Sequence, residues 1–253
     1  MSTYSYRERQ FAKVLNNMPR LKNFLKRGYA FLNYSLYGLK IPRVISDYNI
    51  HRVGDCLYDK KEAFETFWGY YDKYPMNKFG LVLLNTTLYT TQKPPLSSRT
   101  IHVLLFDIEH SRVLLDIETR TYNWQQGCRT HWLNDEFFIL NDFDDIAQRY
   151  IARVYSAIQL KEIKRFNYPV QDSFGLDYFL SINYRRINTL RPDYGYRNLS
   201  KMNDIELRQL NNDGIWKIDY SEGTSLLLYS LEQIANFETE NVDLNAFHKV
   251  NHL

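Results

Sequence analysis

Two periodicities divide the chain. In residues 7–33, Phe11, Val14, Leu15 and Met18 recur at the three- and four-residue spacing that lines one face of an α-helix. Pro19 interrupts the pattern. Leu21, Phe24, Leu25 and Leu32 then resume an apolar stripe, with Lys22, Lys26 and Arg27 off it. The spacing predicts two short amphipathic helices. From about residue 64 the pattern changes to short β-rich runs: Phe79–Asn85, Ile101–Asp107, Arg112–Asp116, Glu136–Asn141, Arg149–Tyr155, Gln159–Phe166, Asp177–Tyr184, Ile215–Tyr220 and Thr224–Ser230. Polar turn signals separate several of them: Glu109-His110-Ser111, Asn134-Asp135, Asp213-Gly214 and Glu222-Gly223.

The runs group into three units of four strands, roughly 64–124, 125–169 and 170–230, with insertions at 86–100 and 185–211. Four-stranded units repeating at about 40–50 residues predict propeller blades; a two-sheet sandwich is the alternative. Residues 231–247 read as a helical excursion, with Ser230 and Gln233 spaced as a capping box. Residues 248–253 read as the start of a further blade. The expected fold is mainly β: a partial β-propeller of about three four-stranded blades over 46–253, preceded by a short basic α-helical segment over 1–45.

Charge sharpens the division. Nine Lys and Arg residues against Glu8 alone give residues 1–43 a charge of +8, so a whole-chain charge of +3 leaves −5 for the rest. The basic amphipathic segment 7–33 is therefore expected either to meet an anionic membrane surface or to dock its apolar stripe on the body. Nucleic acid is not an expected partner, because the acidic body would have to share the phosphate contacts. No run approaches the ~18 uncharged apolar residues of a transmembrane helix. Cys56 and Cys128 are too few for a disulfide framework, and no secretory signal pattern opens the chain. These features predict a reduced, cytoplasmic protein, peripheral to the inner membrane where its head binds lipid.

Candidate chemistry concentrates in two places. Arg185, Arg186 and Arg191 lie within seven residues beside Tyr184, Tyr194 and Tyr196, and no acidic residue occurs between Asp177 and Asp193. Guanidinium forks suit carboxylates and phosphates, and aromatic faces suit sugar rings. An acidic glycan or a sugar phosphate is the predicted ligand; a loop anchored by arginine–carbonyl bonds is the alternative. Asp72 and Lys73, in a dense Tyr-rich cluster before Pro75, either contact the same ligand or hold an inter-blade loop by hydrogen bonds. Asp142, Asp144 and Asp145 read as a solvated turn, because no calcium-loop spacing follows; a cation site is the alternative. There is no Walker loop, dinucleotide fingerprint or nucleophile elbow, and the residues name no cofactor.

Several strings occur together: Phe67-Trp68-Gly69-Tyr70-Tyr71-Asp72-Lys73-Tyr74-Pro75, Gln125-Gln126-Gly127-Cys128-Arg129, Asn141-Asp142-Phe143, Leu190-Arg191-Pro192-Asp193-Tyr194-Gly195-Tyr196, Asp213-Gly214-Ile215-Trp216 and Val250-Asn251-His252. In this order they resemble bacterial TolB-like β-propeller proteins associated with surface-polysaccharide biosynthesis loci. That family is distantly similar to oligogalacturonate lyase, a propeller that cleaves uronate-containing sugars by β-elimination with a divalent metal. The resemblance implies a protein that binds or processes an acidic glycan, or a non-catalytic scaffold that docks a pathway enzyme near the membrane. It also implies His252 as a metal ligand, in a lyase whose remaining ligands lie beyond residue 253.

Overall fold

The computed structural model describes residues 19–37, 65–69, 71–237 and 247–250. The chain divides into two compact units, Met1–Ile50 and His51–Leu253. The first holds one described helix, α1 (Pro19–Tyr37). Pro19 opens this helix: at the first helical position its missing N–H has no partner to lose, and its fixed φ is already helical. Residues 7–18, where the first of the two expected helices falls, lie outside the described residues.

The second unit is mainly β. Its elements in order are β1 (Glu65–Phe67), β2 (Leu81–Thr87), β3 (Ile101–Asp107), β4 (Arg112–Thr119), β5 (His131–Trp132), β6 (Phe137–Asp144), β7 (Arg149–Ser156), β8 (Lys161–Phe166), β9 (Asp172–Phe174), β10 (Tyr178–Ser181), α2 (Tyr184–Leu190), α3 (Asp204–Leu207), β11 (Gly214–Asp219), β12 (Ser225–Ser230) and α4 (Leu231–Phe237). The strands form three antiparallel four-stranded sheets, β1–β4, β5–β8 and β9–β12, each in simple sequence order. Three such meanders, not two face-packed sheets, make up the unit, so the two-sheet sandwich is not the arrangement. Among the described residues the three sheets do not close into a ring.

Side-chain alternation couples the sheets. Phe138 and Leu140 of β6 share a core with Leu83, Val103 and Leu105 of the first sheet. Ile139, between them, joins Ala152 and Val154 in a second core with Phe179 and Ile218 of the third sheet. The middle sheet is thus buried on both faces, which explains why the first half of β6, residues 137–140, reads as an unbroken apolar run. Asn141, fully buried on β6, ties the layers by polar contacts. Its Nδ2 donates to Val170 O (2.8 Å) and Tyr196 Oη (2.9 Å), and its Oδ1 accepts from Val170 N (2.6 Å). Its backbone N–H donates to Cys128 O (2.8 Å), and its carbonyl accepts from Thr119 Oγ1 (3.1 Å).

The β10–β11 connection carries α2 and α3, and Tyr150, Ile182, Tyr184, Ile187 and Tyr196 form a third cluster beneath it. Asp177–Tyr184, expected to be one strand, ends its β structure at Ser181, because Asn183 caps α2 by accepting from Arg186 N. The capping box before α4 forms: Ser230 N donates to Gln233 Oε1 (2.8 Å) and Gln233 N to Ser230 Oγ (3.1 Å). Residues 247–250 are irregular and do not begin a strand. Val250 packs on the third cluster instead, and residues 251–253 lie outside the described residues.

Four hairpins share one device. The last strand residue, Asp107, Asp144, Ser156 or Asp219, accepts a hydrogen bond from the N–H three residues on, at His110, Ala147, Gln159 or Glu222. The following residue turns left-handed: Ser111 (φ 48°), Gln148 (φ 49°), Leu160 (φ 53°) and Gly223 (φ 71°). Only the last is glycine, and an L-residue pays roughly 1–2 kcal/mol for this conformation. Leu160→Gly is therefore expected to raise unfolding stability by about 0.5–1 kcal/mol after the extra chain entropy of glycine is counted. Urea denaturation with an unchanged slope checks it; a loss of stability would show that packing at Leu160 outweighs the backbone term.

Candidate functional site

The arginines of the β10–β11 insertion are sorted by burial. Arg186 is 2% exposed, and all five of its N–H groups are used. Nε donates to Asp213 Oδ2 (2.5 Å), Nη1 to the carbonyls of Leu207 (2.8 Å) and His248 (3.2 Å), and Nη2 to those of Glu206 and Gln209 (both 3.2 Å). Arg185 donates to Glu206 Oε1 (2.5 Å) and Ser200 O (2.8 Å). Glu206 is placed for this by the capping box it forms with Asn203 at the start of α3. Arg191 lies over the Tyr194 ring at 4.3 Å. Tyr196 is fully buried and stacks on Tyr184 with ring centroids 4.1 Å apart.

These contacts correct the expectation of three unpaired cations beside an aromatic platform. Arg186 has no surface to offer a ligand, Tyr196 is core, and Arg185 is neutralised. The counter-charges, Glu206 and Asp213, come from beyond the local window in which the sequence shows no acid. Tyr194 is half-buried, and its carbonyl accepts from Asn123 Nδ2 (2.9 Å).

Asp72 and Lys73 join a polar clasp that spans the sheets. Lys73 forms an ion pair with Asp172 at the start of β9. Asp72 pairs with buried Arg129 (3.3 Å), whose Nε donates to Gln171 O (2.7 Å). Arg129 O accepts from His131 Nδ1 (2.7 Å), and His131 Nε2 meets Ser173 Oγ (2.8 Å). The loop after β1 is thus fastened to the lead-ins of β5 and β9, the inter-sheet role. Partial burial would raise the Asp172 carboxyl, but the Lys73 ammonium outweighs it and holds it below the usual range. Burial, reinforced by Lys73 and Arg129, pushes His131 down to about 3, so its imidazole is neutral.

A third feature opens between the second and third sheets: a cleft of about 300 Å³. Tyr168 and Trp216 form one wall with ring centroids 5.8 Å apart. Trp216 sits on β11, where alternation turns it toward the second sheet together with Ile218. The indoles of Trp68, Trp124 and Trp132 donate to backbone carbonyls, whereas that of Trp216 donates to no acceptor among the described residues. Arg149, exposed at the start of β7 and paired in register with Asp144, lines the cleft without an ion pair among the described residues. The exposed amides of Asn167 and Asn212 complete the rim. Of the arginines and tyrosines singled out from the sequence, Tyr184 and Arg185 line this cleft. Trp216 lay in one of the quoted strings, but nothing in its spacing separates a cleft indole from a core one.

No described group of three His, Cys, Asp or Glu side chains is arranged to hold a metal ion. His252, the residue the resemblance implies as a ligand, lies outside the described residues.

The buried His131 generates a pH signature. The unfolded chain takes up a proton near pH 6.5 that the native imidazole refuses until about 3. Stability is therefore full above 6.5 and falls as pH drops, by about 1.4 kcal/mol per unit at most. His102 has the opposite sign, because its hydrogen bond to Asp116 raises its pKa. His131→Gln is expected to be less stable at neutral pH and to lose this component of the slope between pH 6.5 and 5. Urea midpoints across that range check it; an unchanged slope would mean that His131 titrates normally in the native state.

Comparison with known proteins finds no matching family model, no matching curated protein and no matching solved structure.

Proposed function

We propose that the three sheets are blades of a β-propeller and that the protein is a non-catalytic module that binds an acidic glycan in the cleft between the second and third. The cleft carries the reading: an indole whose N–H has no acceptor among the described residues stands beside Tyr168 and a guanidinium that forms no ion pair with them. Aromatic faces pack against the C–H faces of sugar rings, and the exposed amides of Asn167 and Asn212 supply hydroxyl partners. Arg149 selects for a carboxylate or phosphate on the sugar. A volume of about 300 Å³ is at the low end for ligand sites, enough for the end of a chain or a short segment. Binding without processing is favoured because the cleft contains one carboxylate, Asp213, and that carboxylate is consumed by Arg186 and Asn183.

Titration with short uronate oligosaccharides is expected to change indole fluorescence and to saturate. Trp216→Ala and Arg149→Ala are each expected to weaken binding about ten-fold or more, with melting little changed for Arg149→Ala. Neutral oligosaccharides should bind more weakly than acidic ones, and Arg149→Ala should erase that difference. No uronate binding by the parent, or equal loss for neutral and acidic sugars, would overturn the reading.

A further inference from the structure

The helix of the first unit carries a surface of a different kind. α1 is 19 residues long, about 28 Å at 1.5 Å per residue. At 100° per residue, Phe24, Leu25, Gly28, Phe31, Leu32 and Leu36 fall on one side. Arg20, Lys22, Lys26 and Arg27 fall on the other side or at its borders, and the helix contains no acidic residue. The stripe residues whose burial is described are not buried: Leu25 is 45% exposed and Phe24 72%, with Phe31, Leu32 and Leu36 between them. A continuous exposed apolar stripe marks a binding surface.

We infer that α1 lies in the plane of an anionic bilayer surface, with its apolar stripe in the acyl boundary and its four cations at the headgroups. Charge selects this occupant. Four cations with no acid over five turns complement a phosphate-rich surface. The helix is not apolar enough to cross a membrane, so the stripe dips into one leaflet. A second copy packing stripe to stripe would bring eight like charges together without a counter-charge in either helix.

Gly28 gives the surface a distinguishing mark. It lies at the middle of the stripe, and a Cβ added there meets nothing within 4 Å. Against another helix, a glycine at this place permits close approach, and a larger side chain forces the pair apart. Against fluid lipid, a larger apolar side chain adds buried area and strengthens binding. The same substitution therefore has opposite signs for the two occupants.

The test uses the full chain with sedimenting vesicles of phosphatidylcholine alone, or with about one third phosphatidylglycerol. Binding is expected to the anionic vesicles only and to weaken as salt rises. The triple variant Lys22→Glu, Lys26→Glu, Arg27→Glu should lower partitioning at least 100-fold, since each basic side chain near such a surface is worth roughly five-fold. Gly28→Leu should raise it about ten-fold. Equal binding to neutral vesicles, or no binding to either, overturns the inference without any variant. Weaker binding by Gly28→Leu, or a dimer in light scattering that this substitution dissolves, assigns the stripe to a second copy. The inference is independent of the glycan reading, and uronate titration of the triple variant should match the parent.

Discussion

The constraint on which the sheets depend is the satisfaction of one buried amide. Asn141 stands on β6 of the middle sheet, where apolar neighbours leave no water. An unpaired amide there costs a few kcal/mol, so each of its partners must be in place together. Those partners come from the end of β4, the lead-in of β5, the lead-in of β9 and the Tyr196 hydroxyl of the insertion. Hydrophobic alternation lets the sheets stack but would tolerate small slips; the amide does not. Tyr184 shares the same acceptor, Val170 O (3.1 Å), so α2 is registered against the same point.

The order of strands was legible because the strands that form most of each sheet are long and bounded by turn residues. The nine β runs read from the sequence fall on nine of the twelve strands. The three that were missed, β1, β5 and β9, have two or three residues each, too few for a period to show. Their positions follow from what they are tied to, through Arg129, Gln171 and Asp172, and these are long-range pairings. The repeated hairpin device was present in the sequence as Asp or Ser four residues before a left-handed position. It was masked because three of the four left-handed residues are not glycine.

The site was less legible for an electrostatic reason. Local charge counting treats Arg185, Arg186 and Arg191 alike, yet the fold gives them different roles. Arg186 is buried with a carboxylate and four carbonyls, and removing one partner of such a pair leaves a stranded charge costing about 3–5 kcal/mol. It joins α3, Asp213 before β11 and the 247–250 segment, which is structural service. Arg149 enters the sequence pattern only as the first residue of a β-rich run, but it keeps its guanidinium in solvent beside an aromatic wall. What distinguishes the two is how many of their donors are already used, a quantity set by residues 20 or more positions away.

The same criterion separates the clasp from the cleft. In the clasp, Asp72, Lys73, Arg129, His131 and Asp172 satisfy one another, and the neutral His131 fits because the charges around it are already paired. A ligand there would have to break existing ion pairs before it formed any bond of its own. In the cleft, Trp216 and Arg149 have donors to spare, and Tyr168 is held from behind by Ser225 (3.0 Å) with its ring still facing the indole. A ligand entering there replaces only water, so its hydrogen bonds are not offset by lost protein contacts. Preorganisation therefore comes from the satisfied groups and binding capacity from the unsatisfied ones, and the two lie in different parts of the same three sheets.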